Sequence, residues 1–450
     1  MNPTYASYQP GIFTIDVSQF SQGETLFAPE DMPAFLHEYC HYLQDITTIS
    51  GIFGFSLWMR DLVDLTSIFS DGEGKIILLP LDKNEKDQPI NQYRRFYNIF
   101  CGNADEVLHL DYKQVRFDRI EAEEKPVTIG DTTLNVRFNR IYMEGRAIPL
   151  EFRLIALQEM HACYAQQLAE RHYLDRDPDL IFKVSASSLA SYPYHFGDHL
   201  LEVFEVAMPL DLKFIFTGLC LDTIQAPTVF LTALEAIRGK TFTTEDRSVE
   251  DLTLVVEQSR RSCAYTNEEA LANILPDLQK WSADFRRPDL ATGLMWYTSM
   301  IMTSTNLKKE LPIGFNGFFC QGINELAALY ASFPAPAFYN NGRLDGQQSA
   351  NGDAGQDIIF NMAHEAASSF WLLWKLYDFL CSPDIDAMMR KCKCPLYDHC
   401  TVRAVLDEEY TCLNSPWEIV KGKTTIPCAY GRTVTSMGLW QNSIDFNFDQ

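Results

Sequence analysis

A chain of 450 residues exceeds one ordinary compact domain and predicts two or three packed units. An apolar fraction of 46% with 22% charged residues excludes a disordered chain. Thirty-seven basic against 60 acidic side chains, a formal charge of −23, argue against a nucleic-acid-binding surface. The opening residues Met1–Pro10 show neither a basic nor an apolar signal segment. Apolar runs are too interrupted to cross a bilayer; Val203–Leu221 and Phe370–Cys381 both carry charges. The 12 cysteines then read as reduced thiols or metal ligands rather than a disulfide framework. A cytoplasmic protein that engages neither nucleic acid nor membrane is expected.

Gly11–Val17 and Glu24–Phe27 predict short strands. The first strong helix is predicted over Met32–Ile49, with Asp31 as N-cap, Pro33 in its first turn and Gly51 as its stop. A second helix follows over Ser56–Phe69, then a polar, turn-rich span at Ser70–Gln88. Strands are expected at Val115–Phe117, Val127–Ile129 and Leu134–Phe138, with Gly130-Asp131 as a hairpin signal. Helical periodicity returns at Leu150–Leu174 and continues to about Phe333, breaking at Tyr192-Pro193, Ala226-Pro227, Gly239 and Gly314. Pro334–Gln356 reads as a linker or long loop, Asp357–Leu380 as a helix, and the remainder as a cysteine-rich tail. The expected class is α+β, predominantly α-helical. Its divisions are residues 1–333 with a strand-bearing insertion over about 70–148, a linker at 334–356, and a C-terminal module at 357–450.

The residues that point to chemistry lie in the first strong helix: His37-Glu38-Tyr39-Cys40-His41. Residues four apart stand one above the other on a helix, so both imidazoles can reach a single metal ion. Glu38 is offset around the helix, where it can face a water activated by that ion and take its proton. Zinc suits the pattern, because imidazole and carboxylate ligands leave a fourth position open. Phe35, Leu36, Tyr39, Cys40, Tyr42 and Leu43 make the helix apolar nearly all round. Buried in such a helix, two histidines and a glutamate need partners. Cys40 points off the His37–His41 face and reads as core.

This motif on an apolar helix resembles that of the zincin metallopeptidases. Gln44 and Thr47 occupy the positions where the metzincin branch carries glycine and a third histidine or aspartate. The similarity is therefore to the gluzincin branch, which implies a zincin-like catalytic unit and a third zinc ligand from a glutamate on a later helix. Glu159 is the preferred residue. It shares a helical face with Phe152, Ile155, Ala162 and Cys163, a carboxylate in an apolar stripe beside a small residue. Glu202, Glu205 and the His195/His199 pair remain alternatives. Such a peptidase also needs a donor for the oxyanion, and Tyr194 and His195, in a loop after the Glu159 helix, are the candidates. His161 reads as a surface histidine, with a partner that supports one of the ligands as the alternative. His364-Glu365 lacks a histidine one turn on, where Ser368 stands, and reads as structural.

Cys392, Cys394, Cys400, Cys412 and Cys428 crowd the tail. Cys394, Cys400, Cys412 and Cys428 are the preferred ligands of a second, structural zinc, with His399 as a substitute ligand, an iron–sulfur cluster as one alternative and plain buried thiols as another. The expected function is a zinc-dependent metallopeptidase acting on a protein or peptide substrate, with His37, His41 and Glu159 as ligands and Glu38 as general base. A non-catalytic zinc-stabilised binding protein and a metal hydrolase of non-peptide amides or esters are the alternatives.

Overall fold

The computed structural model describes residues 6–9, 11–20, 28–70, 76–79, 99–102, 117–129, 132–144, 149–176, 192–243, 246–261, 267–285, 288–311, 313–340, 343–346, 368–380, 386, 392–397, 400, 409–420, 428–436 and 443–446. These residues are mostly helical, with a small antiparallel sheet. The expected strand at Glu24–Phe27 and the His364-Glu365 pair lie outside them.

A short antiparallel hairpin opens the chain, β1 (Ser7–Gln9) against β2 (Thr14–Asp16), turned by Gly11 and Phe13 at positive φ. Helix α1 (Met32–Thr47) carries Pro33 in its first turn, where an amide would have no intrahelical partner. Asp31 caps it through its backbone: its carbonyl accepts from the Phe35 amide at 3.0 Å, and its side chain makes no capping bond. The apolar residues around α1 have the expected consequence, since every residue from Tyr39 to Thr47 is buried.

Gly51 does not stop this helix. The chain breaks at Thr48 and at once enters α2 (Ile49–Ser70), whose first turn contains the glycine. A Cβ at Gly51 would stand 2.3 Å from the Gln44 carbonyl oxygen. The glycine therefore serves the close approach of two helix ends rather than a left-handed cap. Hydroxyls and one lysine close α1 instead: Thr47 and Thr48 donate to the Leu43 and Gln44 carbonyls at 2.6 and 2.7 Å, and Lys308 to the Thr47 carbonyl at 2.9 Å.

The strand-bearing region forms one ladder. β4 (Phe117–Ile129) and β5 (Thr132–Met143) pair with Ile129 opposite Thr132, which assigns the connection to Gly130 and Asp131 as anticipated. Both strands run well beyond the expected apolar segments, because charged residues also pair across the ladder: Arg140 reaches Glu123 at 2.7 Å. β6 (Leu150–Phe152) pairs with β5, so the first three residues of the expected Leu150–Leu174 helix are strand. Leu150 and Phe152 are buried on either side of a half-exposed Glu151, a period of two. Helix α3 then spans Leu154–Leu174.

Helices follow at Phe196–Val203 (α4), Leu210–Leu221 (α5), Ala226–Ala236 (α6), Asp246–Arg260 (α7), Asn267–Asp284 (α8), Pro288–Glu310 (α9), Asn316–Gln321 (α10) and Ile323–Ser332 (α11). Ala226-Pro227 marks a helix start, with proline in its first turn. Gly239 and Gly314 break the chain at φ +71° and +60°. The expected linker includes regular structure: after the irregular residues 334–336, β7 (Ala337–Asn340) and β8 (Arg343–Gly346) form a hairpin, and residues 341–342 and 347–356 lie outside the described residues. Residues 368–380 are helical, then come α12 (Glu409–Asn414), α13 (Ala429–Ser436) and β9 (Ser443–Phe446).

The chain divides into two compact units. The first comprises Met1–Ser56, Phe96–Leu275 and Ser299–Pro336; the second comprises Leu57–Arg95, Pro276–Thr298 and Ala337–Gln450. In the first, α1 packs against α3, whose Ala156, Ala162, Ala165 and Ala169 are fully buried and let neighbouring helices approach closely. In the second, the 368–380 helix buries Phe370, Leu373 and Leu376, and Met59, Leu62 and Leu65 are buried in the same unit. The Tyr377 hydroxyl donates to Asp61 at 3.0 Å there, and β9 pairs in parallel with Ile76–Leu79 (β3).

Candidate metal centre

Packing of α1 on α3 brings three ligating side chains to one point. Nε2 of His37 and Nε2 of His41 lie 3.3 and 3.4 Å from the same oxygen, Oε2 of Glu159. The three donor atoms all lie within 4.8 Å of one another. Those separations are longer than a charge-assisted hydrogen bond, about 2.7–2.9 Å. They match the edge of a tetrahedron around a cation bound at about 2.05 Å, which is roughly 3.3 Å. Two imidazoles and one carboxylate could thus hold one metal ion between them.

The remaining nitrogen of His41 is held by a buried chain of hydrogen bonds with a backbone anchor at each of two points. Asn316 Nδ2 donates to the Ile313 carbonyl at 3.1 Å, so its Oδ1, 2.9 Å from His161 Nε2, accepts. With Nε2 protonated, neutral His161 presents the lone pair of Nδ1 to Gln44 Nε2 at 3.0 Å. Gln44 Nε2 also donates to the Gln158 carbonyl at 3.1 Å, which leaves Gln44 Oε1 to accept from His41 Nδ1 at 3.0 Å. When neutral, His41 therefore carries its proton on Nδ1 and turns a bare Nε2 toward Glu159. Burial, against the raising effect of the Asn316 hydrogen bond and with His41 adding to the fall, holds His161 down to about 3, consistent with the neutral ring this chain requires. His37 has no such support: its Nδ1 has no hydrogen-bond partner among the described residues.

His161 is thus not a surface histidine. It is fully buried, stacked on Phe214 with ring centroids 4.2 Å apart. Room for the Asn316 amide is made by Gly218, where a Cβ would stand 2.5 Å from Asn316 Nδ2. Cys40 is core, as expected, with its sulfur 3.5 Å from His161 Nδ1.

Charges within the centre oppose one another in a definite way. Burial pulls His41 down, but the Glu159 carboxylate, its hydrogen bond, Glu38 and Gln44 outweigh it and carry the imidazole to about 9. Burial raises Glu159, yet His41 and His37 overcome it and hold the carboxyl below the usual range. Protons and a metal ion therefore compete for this site. Burial raises Glu38, against the lowering effects of His37 and His41; Glu159 adds to the rise and the Tyr8 amide opposes it.

Sequence reasoning did not anticipate Tyr8. Its backbone amide donates to Glu38 Oε2 at 2.8 Å, its hydroxyl to Asp45 at 2.7 Å, and its ring stacks on His41 at 6.4 Å. β1 thereby holds the proposed base in place. Asp45 is raised to about 7 by burial, in spite of Tyr8 and His41. Gln44 and Asp45 carried a legible signal, polar residues about one turn beyond His41 in a mostly apolar helix. Tyr8 and Asn316 carried none.

Of the two loop candidates, Tyr194 stands beside the ligands, its ring 6.2 Å from that of His37. Burial first, then Glu159 and Glu38, push its hydroxyl above the ordinary range, so it remains a donor. His195 is fully buried at the N-cap of α4, and with burial it holds His199 down to about 4. Glu202 and Glu205, the alternative carboxylates, are exposed to solvent. Among the described residues, the His37/His41/Glu159 group is the one whose ligand atoms converge. No protein-family model, curated protein or solved structure matches the chain.

Proposed function

We propose that the chain is a zinc-dependent metallopeptidase of gluzincin-like, zincin type. The observation that carries this reading is the convergence of His37 and His41, one helical turn apart, on a carboxylate 118 residues after His41 in the chain, with separations of 3.3 and 3.4 Å. A zinc ion held there would acidify a water and polarise a carbonyl oxygen.

The chain's own residues supply the rest. Glu38, lifted by burial toward working pH, takes the proton of the attacking water and passes it to the leaving amine. The Tyr8 amide orients that carboxylate. The Tyr194 hydroxyl donates to the developing oxyanion; His195, held beside His199, is the weaker candidate for that role. A peptide is favoured as substrate because β1 is an edge strand among the described residues and its backbone reaches Glu38, so an extended segment added to that edge would enter beside the base.

The test uses a degenerate peptide library read by mass spectrometry, together with zinc content. Glu38→Gln is expected to lower cleavage by about 10²–10⁴-fold while the chain keeps its zinc at the histidine site. Tyr194→Phe is expected to lower turnover by about 10²–10³-fold with KM little changed. Cleavage retained by Glu38→Gln would refute the assigned role.

A further inference from the structure

Another group of metal-ligating side chain types lies in the second unit. Cys394, Cys400, Cys412 and Cys428, drawn from three stretches of the tail, line one small cavity together with Tyr397 and Tyr430. One backbone bond joins two of these stretches, and a local turn leads from Cys394 toward Cys400. The Cys394 amide donates to the Cys412 carbonyl at 2.8 Å, and the Tyr397 amide to the Cys394 carbonyl at 2.9 Å. All four are thiols rather than halves of disulfides.

Two details separate ligands from bystanders. The Gly431 amide donates to Cys428 Sγ at 3.1 Å, at the start of α13. A thiol sulfur accepts weakly, whereas a thiolate accepts well and is favoured at a helix N-terminus. Cys392, two residues from Cys394, turns away: its sulfur lies 3.5 Å from the Leu413 carbonyl and is absent from the cavity wall.

From this geometry we infer that the four sulfurs of Cys394, Cys400, Cys412 and Cys428 bind one zinc ion that cross-links the tail. Binding replaces four S–H bonds by four Zn–S bonds and releases four protons to solvent, with no change of oxidation state. Among the described residues no three cysteine sulfurs lie within 4.8 Å of one another. The ion would therefore contract the cavity to a sulfur–sulfur edge of about 3.8 Å, given Zn–S bonds of about 2.3 Å. The segment gains from such an ion because its helices are short: α12 has 6 residues and α13 has 8.

The test uses the full-length chain carrying His37→Ala and His41→Ala, so that zinc at the first site cannot contribute. Elemental analysis after dialysis should find one zinc per chain. Cobalt added to the metal-stripped chain should give strong sulfur-to-metal absorption in the near ultraviolet. In this background Cys394→Ser, Cys400→Ser, Cys412→Ser and Cys428→Ser should each weaken zinc retention tenfold or more, and Cys392→Ser should not. Where a serine variant fails to fold, titrating the parent with p-mercuribenzoate should release one zinc as four thiols react. The inference is overturned if the parent holds no zinc and its thiols react without protection. It is overturned equally if Cys392→Ser loses zinc as the others do, or if a coloured cluster with inorganic sulfide is found.

Discussion

Gln44 is the residue on which the tautomer of His41 turns, and replacing it by methionine tests the whole hydrogen-bonded chain. Methionine keeps the length and apolar volume but removes the acceptor of His41 Nδ1 at 3.0 Å and the donor to Gln158 and His161 at 3.1 and 3.0 Å. Each buried group left without its partner costs about 1–3 kcal/mol. A loss of about 3 kcal/mol of stability is the lower expectation, large against a total of about 5–15 kcal/mol. The effect on the metal is separate. Without an acceptor for Nδ1–H, the ring is neither oriented nor made more basic, and affinity for zinc should fall about 10–100-fold. Competition against a chromophoric chelator measures the affinity, and thermal unfolding of the metal-stripped chain measures the stability. His161→Phe sharpens the comparison. The ring still stacks on Phe214, and Gln44 is still anchored by the Gln158 carbonyl, so this variant should lose stability but keep its zinc affinity. The double variant should lose less stability than the two singles summed, because the Gln44–His161 bond is lost only once. Unchanged zinc affinity in Gln44→Met would show that the chain of bonds serves packing alone.

The pH dependence of the metal-stripped chain follows from two histidines shifted in opposite senses. His41 is raised from 6.5 to about 9, so its stabilisation is fully present below pH 6.5 and lost as pH rises through about 9. His161 is lowered from 6.5 to about 3, so stability falls as pH drops below 6.5 and the unfolded chain takes up the proton the fold refuses. Asp45, raised from 3.8 to about 7, gains stability as pH falls over that same acid range. The calorimetric profile should therefore rise as pH falls from about 9 to 6.5 and then level off, with Glu159→Gln reducing the alkaline decline and His161→Phe turning the level stretch into a continued rise. A profile that His161→Phe leaves unaltered would contradict the neutral buried ring. The two close-approach glycines should differ in severity. Gly218→Ala pushes against a side-chain amide that can shift, costing about 1–3 kcal/mol. Gly51→Ala meets the backbone at 2.3 Å and should cost more, and the reverse order of unfolding temperatures would count against the corner described.

Much of the centre was legible because its determinants are local. The spacing of His37 and His41 is a property of one helix, and the apolar residues around them foretell burial without any partner being known. Glu159 was legible for a similar reason, a carboxylate on an otherwise apolar helical face, and the two-residue turn at Gly130-Asp131 announced its hairpin. Local pattern misled where contact overrode it. Gly51 has the composition of a helix stop, but its need arises from the Gln44 carbonyl of another helix. Leu150–Phe152 follows into a helix in sequence, yet β5 offers it a ladder. His161 has polar and apolar neighbours in the chain that leave its side undecided; only the packing of α3 against α1 and Phe214 buries it.

The sequence by itself determined the chemistry of the donors, because residue type and helical spacing suffice to say what two imidazoles one turn apart can hold, whereas the packing of α1 on α3 brought Glu159 to them. Their orientation was decided by tertiary structure alone. The bonds that set the His41 tautomer run through Gln44, His161 and Asn316 to the Ile313 carbonyl, and the base is steadied by the amide of Tyr8. Those partners lie as far as 155 residues apart in the chain. Hydrogen-bond direction depends on which donors and acceptors meet in space, and no periodicity along a sequence encodes that.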